Sequence, residues 1–336
     1  MKKYNVAILG ATGAVGREMM KILEERDFPI DELRLLASSR SVGTLLTYKG
    51  KEFIVQEAKA TSFESMDFVL GAVGNETAKH FAPYIKESNA VFIDNSSAFR
   101  MHDDVPLVVP EINPADALTH HGIIANPNCS TIISLVAVNA INRLSSIQSM
   151  VVSTYQAVSG AGHEGITELE EQTREVINRK PATTKVFPTQ IAYNVIPFIG
   201  NVLDNGYTSE EMKIQNEGRK IMHLPELLVS CTCVRVPVIR SHSISINVKT
   251  AETISVDQAE TAIQSSAGCS MSTDMHGRNY PTPLDTSDQD LVWVGRIRKD
   301  LTDEHGLNLW CCGDQIRKGA ATNAVQIAEL LLETRK

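Results

Sequence analysis

Apolar and polar positions follow two different patterns along this chain. In the first third, short apolar runs are interleaved with stretches whose apolar residues recur every three or four positions. Tyr4 to Leu9 has the length and content of a buried strand, and Ala14 to Glu25 sets Val15, Met19, Ile22 and Leu23 on one helical stripe. Leu33 to Ala37, Asp67 to Val73 and Ala90 to Ile93 read as further strands, with a helix from Glu76 to Lys86 between the last two. Strand, helix, strand in this rhythm predicts an α/β protein with a doubly wound parallel sheet. From about Val151 the pattern changes. Leu227 to Val236, Ile244 to Thr250 and Leu307 to Cys312 alternate with period two, as half-exposed strands of a mixed or antiparallel sheet do. Gly165 to Lys180 carries Ile166, Leu169, Val176 and Ile177 at helical spacing and stops at Pro181, and Gln315 to Lys336 is helical again. The second lobe is therefore expected to be α+β.

The chain has 336 residues, 43% hydrophobic and 21% charged, which suits two domains that each bury a core. A net charge of −8 argues against a nucleic-acid or anionic-membrane partner, but leaves room for small anionic substrates held by a few placed cations. No apolar run approaches the ~20 residues of a membrane span. Six cysteines at no metal-ligand spacing predict a reducing compartment, the cytoplasm. His120-His121 lacks a third ligand, so no metal site is expected.

The first strand runs into Gly10-Ala11-Thr12-Gly13-Ala14-Val15-Gly16, which opens directly onto a helix. Glycines let a pyrophosphate approach the backbone, and a helix N-terminus offers it free amide donors. The plain alternative is a tight turn without a ligand; the position after an N-terminal strand favours a Rossmann-like dinucleotide site at Thr12, Gly13, Ala14 and Val15. At the end of the second strand an NAD enzyme usually carries an acid. Here Ala37-Ser38-Ser39-Arg40-Ser41 offers a guanidinium among hydroxyls, which suits the 2′-phosphate of NADP, with Arg40 and Ser41 as contacts.

Asn126-Pro127-Asn128-Cys129-Ser130-Thr131 precedes an apolar helical run, which places Cys129 at a helix N-terminus. There the amides and the helix dipole favour a thiolate and can donate to an oxyanion. Cys231, Cys233, Cys311 and Cys312 lie inside strand patterns and read as buried structural residues, while Cys269 carries no signal either way. Cys129 is the candidate nucleophile.

These motifs together resemble aspartate-semialdehyde dehydrogenase, essentially from end to end. The glycine turn is similar to the family's cofactor loop and Asn128-Cys129-Ser130-Thr131 to its active-site box, and Gln156 is followed by Ser159-Gly160-Ala161-Gly162 as in the family. The resemblance implies that Cys129 is the acyl-enzyme cysteine, that Gln156 orients the substrate, and that Ser159 and Gly160 touch NADP. It implies a discontinuous cofactor domain, residues 1–128 with the helix 315–336, and a catalytic and dimerisation domain over 129–314. It further implies a homodimer or a dimer of dimers.

The remaining site residues each have a plainer explanation. Arg100 in Asn95-Ser96-Ser97-Ala98-Phe99-Arg100 reads by default as a surface residue paired with Asp103 or Asp104; the resemblance makes it a phosphate ligand. Thr208 and Glu211 have the spacing of a capping box. Glu210 and Lys213 share a helix face and would by default be an exposed ion pair. In the family the matching Glu meets the substrate ammonium and the matching Lys meets phosphate. Arg235 is in phase with Cys231 and Cys233, so its charge falls on a buried face that an anion would explain. His242 is in phase with Ile244, Ile246 and Val248 and would by itself be a core histidine. The resemblance makes Arg235 the substrate-carboxylate ligand, His242 the general acid/base and Gln315 a contact to the nicotinamide end. The implied reaction is reversible, phosphate-dependent oxidation of L-aspartate 4-semialdehyde with NADP through a thioester on Cys129. It runs in cells in the biosynthetic direction, towards lysine, threonine and methionine. Two other readings stay open on the sequence: a related acyl-phosphate reductase such as N-acetyl-γ-glutamyl-phosphate reductase, and a non-catalytic NADP-binding relative.

Overall fold

The strand β1 (Tyr4–Leu9) lies at the centre of a six-stranded sheet, and its side chains are almost all buried, as a strand covered on both faces requires. The computed structural model describes residues 2–273 and 277–334. Parallel to β1 run β2 (Ile30–Ala37), β5 (Gln56–Glu57), β6 (Phe68–Gly71), β7 (Val91–Asp94) and β8 (Ile123–Ala125), in the order β5-β2-β1-β6-β7-β8. The hairpin β3 (Leu45–Tyr48) and β4 (Lys51–Ile54) stands outside this sheet. Strand order runs outward both ways from β1, so the switch point of the doubly wound sheet falls at its carboxyl end, where ligands of such sheets bind. Helices α1 (Ala14–Glu25) and α2 (Asn75–Glu87) make the crossovers, and α1 buries Met19, Ile22 and Leu23.

Two units divide the chain: Met1–Asn128 with Ala320–Lys336, and Cys129–Gly319. In the first unit, the last helix of the chain buries Val325, Ile327, Ala328 and Leu331 in the same core as β1 and α1. Arg26, at the end of α1, donates to both carboxylate oxygens of Glu329 at 2.8 and 2.6 Å. That helix spans Thr322–Thr334 and does not begin at Gln315, as the apolar spacing predicts. Asp314 Oδ1 accepts the amides of Ile316 and Arg317, and a wide π turn follows over Arg317–Ala321, so residues 315–319 stay with the second unit.

In the second unit, α3 (Cys129–Leu144) is buried continuously from Ser130 to Ile141, as an all-round apolar helix must be. It lies against a mixed sheet made of β9 (Ile147–Gln156), β10 (Leu228–Arg235), β11 (His242–Thr250), β12 (Cys269–Met271), β13 (Val292–Lys299) and β14 (Gly306–Gly313). Their order is β10-β9-β11-β14-β13-β12, with β9/β10 and β12/β13 parallel and the other pairs antiparallel. Among the described residues, the longer further helices of this unit are α4 (His163–Ile177), α5 (Ser209–Ile221) and α6 (Val256–Gln264), of which α5 and α6 flank α3, and a single short turn of helix spans Pro283–Thr286. α4 ends before Pro181 because Arg179 turns into the left-handed region, at φ 56°. No helix among the described residues is long and apolar enough to cross a membrane.

Candidate active site

In the first unit, the glycine turn has the shape a pyrophosphate needs. Gly10 sits at φ +93°, and a Cβ there would lie 2.3 Å from the Ala72 carbonyl oxygen. A Cβ on Gly16 would lie 2.2 Å from the Gly10 oxygen, so close strand–helix approach demands glycine at both positions. Gly13 caps α1 with no side-chain hydrogen bond, and no acid occupies the first turn. Thr12, Ala14 and Val15 therefore border first-turn amides that a helix cannot satisfy by itself. Ser39–Ser41 form one 3-10 turn after β2, with Arg40 exposed and Ser41 Oγ 3.4 Å from Thr12 Oγ1. Open amides beside an exposed guanidinium and hydroxyls form a donor set that fits a dinucleotide with a 2′-phosphate.

Arg100 is also in the first unit, and it is not a surface residue. It is buried, and its Nε and Nη2 donate to the carbonyls of Asn126 and Asn95 at 2.9 and 2.7 Å. Asn126 is pinned through its side chain too, between Asn95 and Asn323 at 2.8 and 2.7 Å. Asp94, at the end of β7, accepts the Ser96 amide and hydroxyl, and burial raises its pKa against the pull of those bonds and of Arg100.

The second unit brings the other candidates together. Cys129 is the first residue of α3 and His242 the first of β11, and Sγ lies 3.5 Å from Nε2. The Ala157 amide donates to Nδ1 at 3.1 Å, so the neutral ring carries its proton on Nε2, facing the sulfur. Full burial, helped by the positive charge of Arg235 and opposed by Glu210, pushes the His242 pKa down to about 3. The ring is neutral at physiological pH.

Arg235 comes from β10, the parallel neighbour of β9, and is 7% exposed. Its Nη1 donates to the Ala157 carbonyl at 2.7 Å, and its guanidinium carbon lies 5.9 Å from the centre of the Phe187 ring. Burial lowers its pKa, and the nearby Cys129 and Glu210 act in the opposite direction. A Cβ on Gly160 would come within 2.7 Å of Arg235 Nη1 and 3.3 Å of His242 Cε1. Gln156, at the end of β9, accepts from Thr154 Oγ1 at 3.0 Å and donates to Glu210 Oε1 at 3.3 Å. Glu210 Oε2 takes Lys213 Nζ at 2.7 Å. This is the expected ion pair, but its carboxylate is 8% exposed rather than solvated. Thr208 and Glu211 make both bonds of the capping box and thereby start α5 where Glu210 is needed. Ser159 and Gln315 are bonded to each other.

Some contributors carry no sequence signal. Ala157 serves His242 with its amide and Arg235 with its carbonyl, and a backbone role leaves no trace in residue type. Gly319 abuts the nucleophile candidate, where a Cβ would lie 2.9 Å from Cys129 Cβ. Asp314 is fully buried and accepts Arg240 Nε at 2.6 Å and the Asp288 amide at 2.8 Å. An acid beside Gln315 in an apolar context was the available clue. The other cysteines are all buried; burial raises the pKa of Cys311, and that of Cys312 to about 12.

Two family models match the chain: "Semialdehyde dehydrogenase, NAD binding domain" over residues 5–120 and "Semialdehyde dehydrogenase, dimerisation domain" over 139–318. The chain is 47% identical over 328 residues to an aspartate-semialdehyde dehydrogenase of Synechocystis, covering 98% of this chain and 97% of the relative. It is 50% identical over 335 residues to that of Aquifex aeolicus, covering 98% of each. Among solved structures, aspartate semialdehyde dehydrogenase II of Vibrio cholerae complexed with ASA superposes with a TM-score of 0.96 at 45% identity, over 99% of both chains.

Proposed function

The chain belongs to the aspartate-semialdehyde dehydrogenase family, and from that premise we propose a role for each residue of its site. The family's reaction is the NADP-dependent reductive dephosphorylation of 4-phospho-L-aspartate to L-aspartate 4-semialdehyde and phosphate, a step of lysine, threonine and methionine biosynthesis.

Cys129 is the nucleophile. Its thiolate, at the start of α3 and 3.5 Å from His242 Nε2, attacks the acyl carbon, and phosphate leaves as the thioester forms. NADPH, held by Thr12, Gly13, Ala14, Val15, Arg40, Ser41, Ser159 and Gly160, supplies the hydride when bound. His242 Nε2–H then faces the oxygen of the thiohemiacetal on Cys129. The proton moves to that oxygen and returns to Nε2 as the carbonyl reforms and the thiolate is expelled, so the ring ends as it began. Ala157 keeps Nδ1 occupied and fixes this tautomer. In the oxidative direction Nε2–H first gives its proton to the alkoxide formed as the thiolate adds to the aldehyde, and the vacated nitrogen takes that proton back as hydride leaves.

Arg235 takes the substrate carboxylate, which gives a buried guanidinium the anion its position calls for. Glu210 takes the ammonium and Gln156 orients the acyl carbon; the bond between them supports a shared task. Lys213 is the cation for phosphate, and Arg100 is a second one on the strength of the resemblance. The chain acts as a homodimer. The dimerisation-domain match supports this, as does an outer sheet face that leaves Val151, Tyr155 and Leu228 at 56%, 37% and 60% exposure. Association of two such dimers would double the mass, which light scattering resolves.

The contact between Cys129 and His242 carries this reading. Cys129→Ala should abolish turnover with the semialdehyde while NADP affinity stays within about threefold of wild type. Turnover that survives the substitution would remove the covalent mechanism.

A further inference from the structure

The chain leaves α4 at Ile177 and, apart from isolated bridges, forms no helix or strand until α5 begins at Ser209. The backbone polar groups of this stretch therefore need partners other than a ladder. Glu168, Gln172 and Glu175 follow one another at spacings of four and three on α4, so they share a face of that helix, and they supply those partners. Glu168 is 2% exposed, and its carboxylate accepts the amides of Val186 and Phe187 and Nε2 of Gln172. Gln172 is fully buried; its Oε1 accepts the amides of Ile191 and Ala192 at 2.8 and 3.1 Å, and its Nε2 also donates to the Thr183 carbonyl at 3.0 Å. Glu175 accepts the Thr183 amide and hydroxyl at 2.7 and 2.8 Å. Two buried polar side chains with every polar atom engaged thus fix residues 183–192 in one course.

That course ends on Arg235. The Phe187 ring turns inward with Val158, Leu169, Ile191 and Ile196, and the Arg235 guanidinium carbon lies over it, 5.9 Å from its centre. Further along, Ile196 exchanges both backbone hydrogen bonds with Arg235, at 2.8 and 2.9 Å. The guanidinium is held at Nη1 by the Ala157 carbonyl and across one face by Phe187, and among the described residues no carboxylate pairs with it. Arg235 and Phe187 also line an open cavity of about 460 Å³ with Lys185, Ile196 and Phe198, into which the guanidinium can turn once the ring is removed.

We propose that Phe187 is a positioning residue for Arg235, seated by Glu168 and Gln172 of α4, and that together they aim the guanidinium at the substrate carboxylate. This rests on Arg235 being the carboxylate ligand. A ring beneath a desolvated guanidinium attracts it and fixes the plane in which its remaining N–H groups point.

The test measures kcat and KM for L-aspartate 4-semialdehyde at saturating NADP and phosphate, together with the dissociation constant of NADPH and the melting temperature. The variants are Phe187→Leu, Glu168→Gln, Arg235→Gln and the double variant of Phe187→Leu with Arg235→Gln. Leu at 187 keeps an apolar side chain in the core but removes the ring face, and Gln at 168 keeps the shape but turns a donor towards one of the two amides. Each should raise KM by about threefold to thirtyfold, with kcat and NADPH affinity within about threefold of wild type. If Glu168→Gln does not fold, Phe187→Leu carries the test. In the Arg235→Gln background, Phe187→Leu should change kcat/KM by less than about twofold, because the group it acts through is gone. A folded Phe187→Leu with wild-type KM, or the same loss in both backgrounds, would overturn the proposal. Arg235→Gln with wild-type KM would instead overturn the reading on which the proposal rests.

Discussion

A methyl group at position 160 would sit 2.7 Å from Arg235 Nη1 and 3.3 and 3.4 Å from His242 Cε1 and Nε2. Carbon contacts settle at about 3.5–4.0 Å, so Gly160→Ala must push the guanidinium by about 1 Å and the imidazole by only a few tenths. Gly160 lies in a 3-10 turn and not in the left-handed region, so alanine adds no backbone strain. The colliding atom is the far end of a flexible side chain, which lets the fold survive. The loss falls on the 2.7 Å bond from Nη1 to the Ala157 carbonyl and on the aim of the charge. A hydrogen bond to a charged group contributes about 1.5–3 kcal/mol, which corresponds to roughly tenfold to a hundredfold in rate. The assay is the initial rate of NADP reduction against semialdehyde concentration at saturating NADP and phosphate. The expected result is that loss in kcat/KM for the semialdehyde, with a melting temperature near wild type. An unchanged kcat/KM would refute the assignment of Arg235 to the substrate, and a loss confined to NADP affinity would give Gly160 to the cofactor alone.

His242 makes a pH prediction. Its folded pKa of about 3 lies below the ordinary 6.5, so the unfolded chain binds the proton better, and the stability from this group is present above pH ~6.5 and lost as pH falls toward 3. Between pH 7 and pH 5 the loss is about 2 kcal/mol. Urea unfolding at the two pH values should show it in wild type and not in His242→Asn, and equal losses in both proteins would sink the assignment. Thr208→Ala removes one arm of the cap on α5 and should cost about 1 kcal/mol, read as a melting temperature lower by a few degrees; an unchanged melting temperature would mean that the cap does not hold the helix.

In the first unit β1 and α1 are legible to the residue and β2, β6, β7 and α2 in part, whereas the short strands β3, β4, β5 and β8 are not predicted. β1 and α1 span the predicted ranges because a strand covered on both faces and a one-sided helix each imprint their period on the sequence. The second unit was legible in part. β10, β11 and β14 alternate cleanly, whereas Ile147–Gln156 mixes Ser, Thr and Gln with its apolar positions, and no strand is predicted there, only a change of pattern from about Val151. At the C-terminus the sequence predicts a helix from Gln315, but the side chains of Asp314 and Gln315 bond within the second unit and the helix begins at Thr322. Cys129 could be placed at a helix start from its neighbours Pro127 and Asn128. The burial phases of Arg235 and His242 could also be read, because in-phase cysteines and isoleucines mark the covered face. Their mutual geometry could not, since it depends on Ala157 backbone atoms and on the approach of Gly160 and Gly319.

The account stands most directly on one measurement: reduction of NADP by the purified protein with L-aspartate 4-semialdehyde, with and without phosphate, and with NAD in place of NADP. It predicts turnover that requires phosphate and favours NADP, because in the proposed mechanism acyl transfer from Cys129 needs an acceptor and the exposed Arg40 is proposed to meet the 2′-phosphate. Turnover indifferent to phosphate would contradict acyl transfer to phosphate, and NADP binding without any turnover would contradict the catalytic assignment itself.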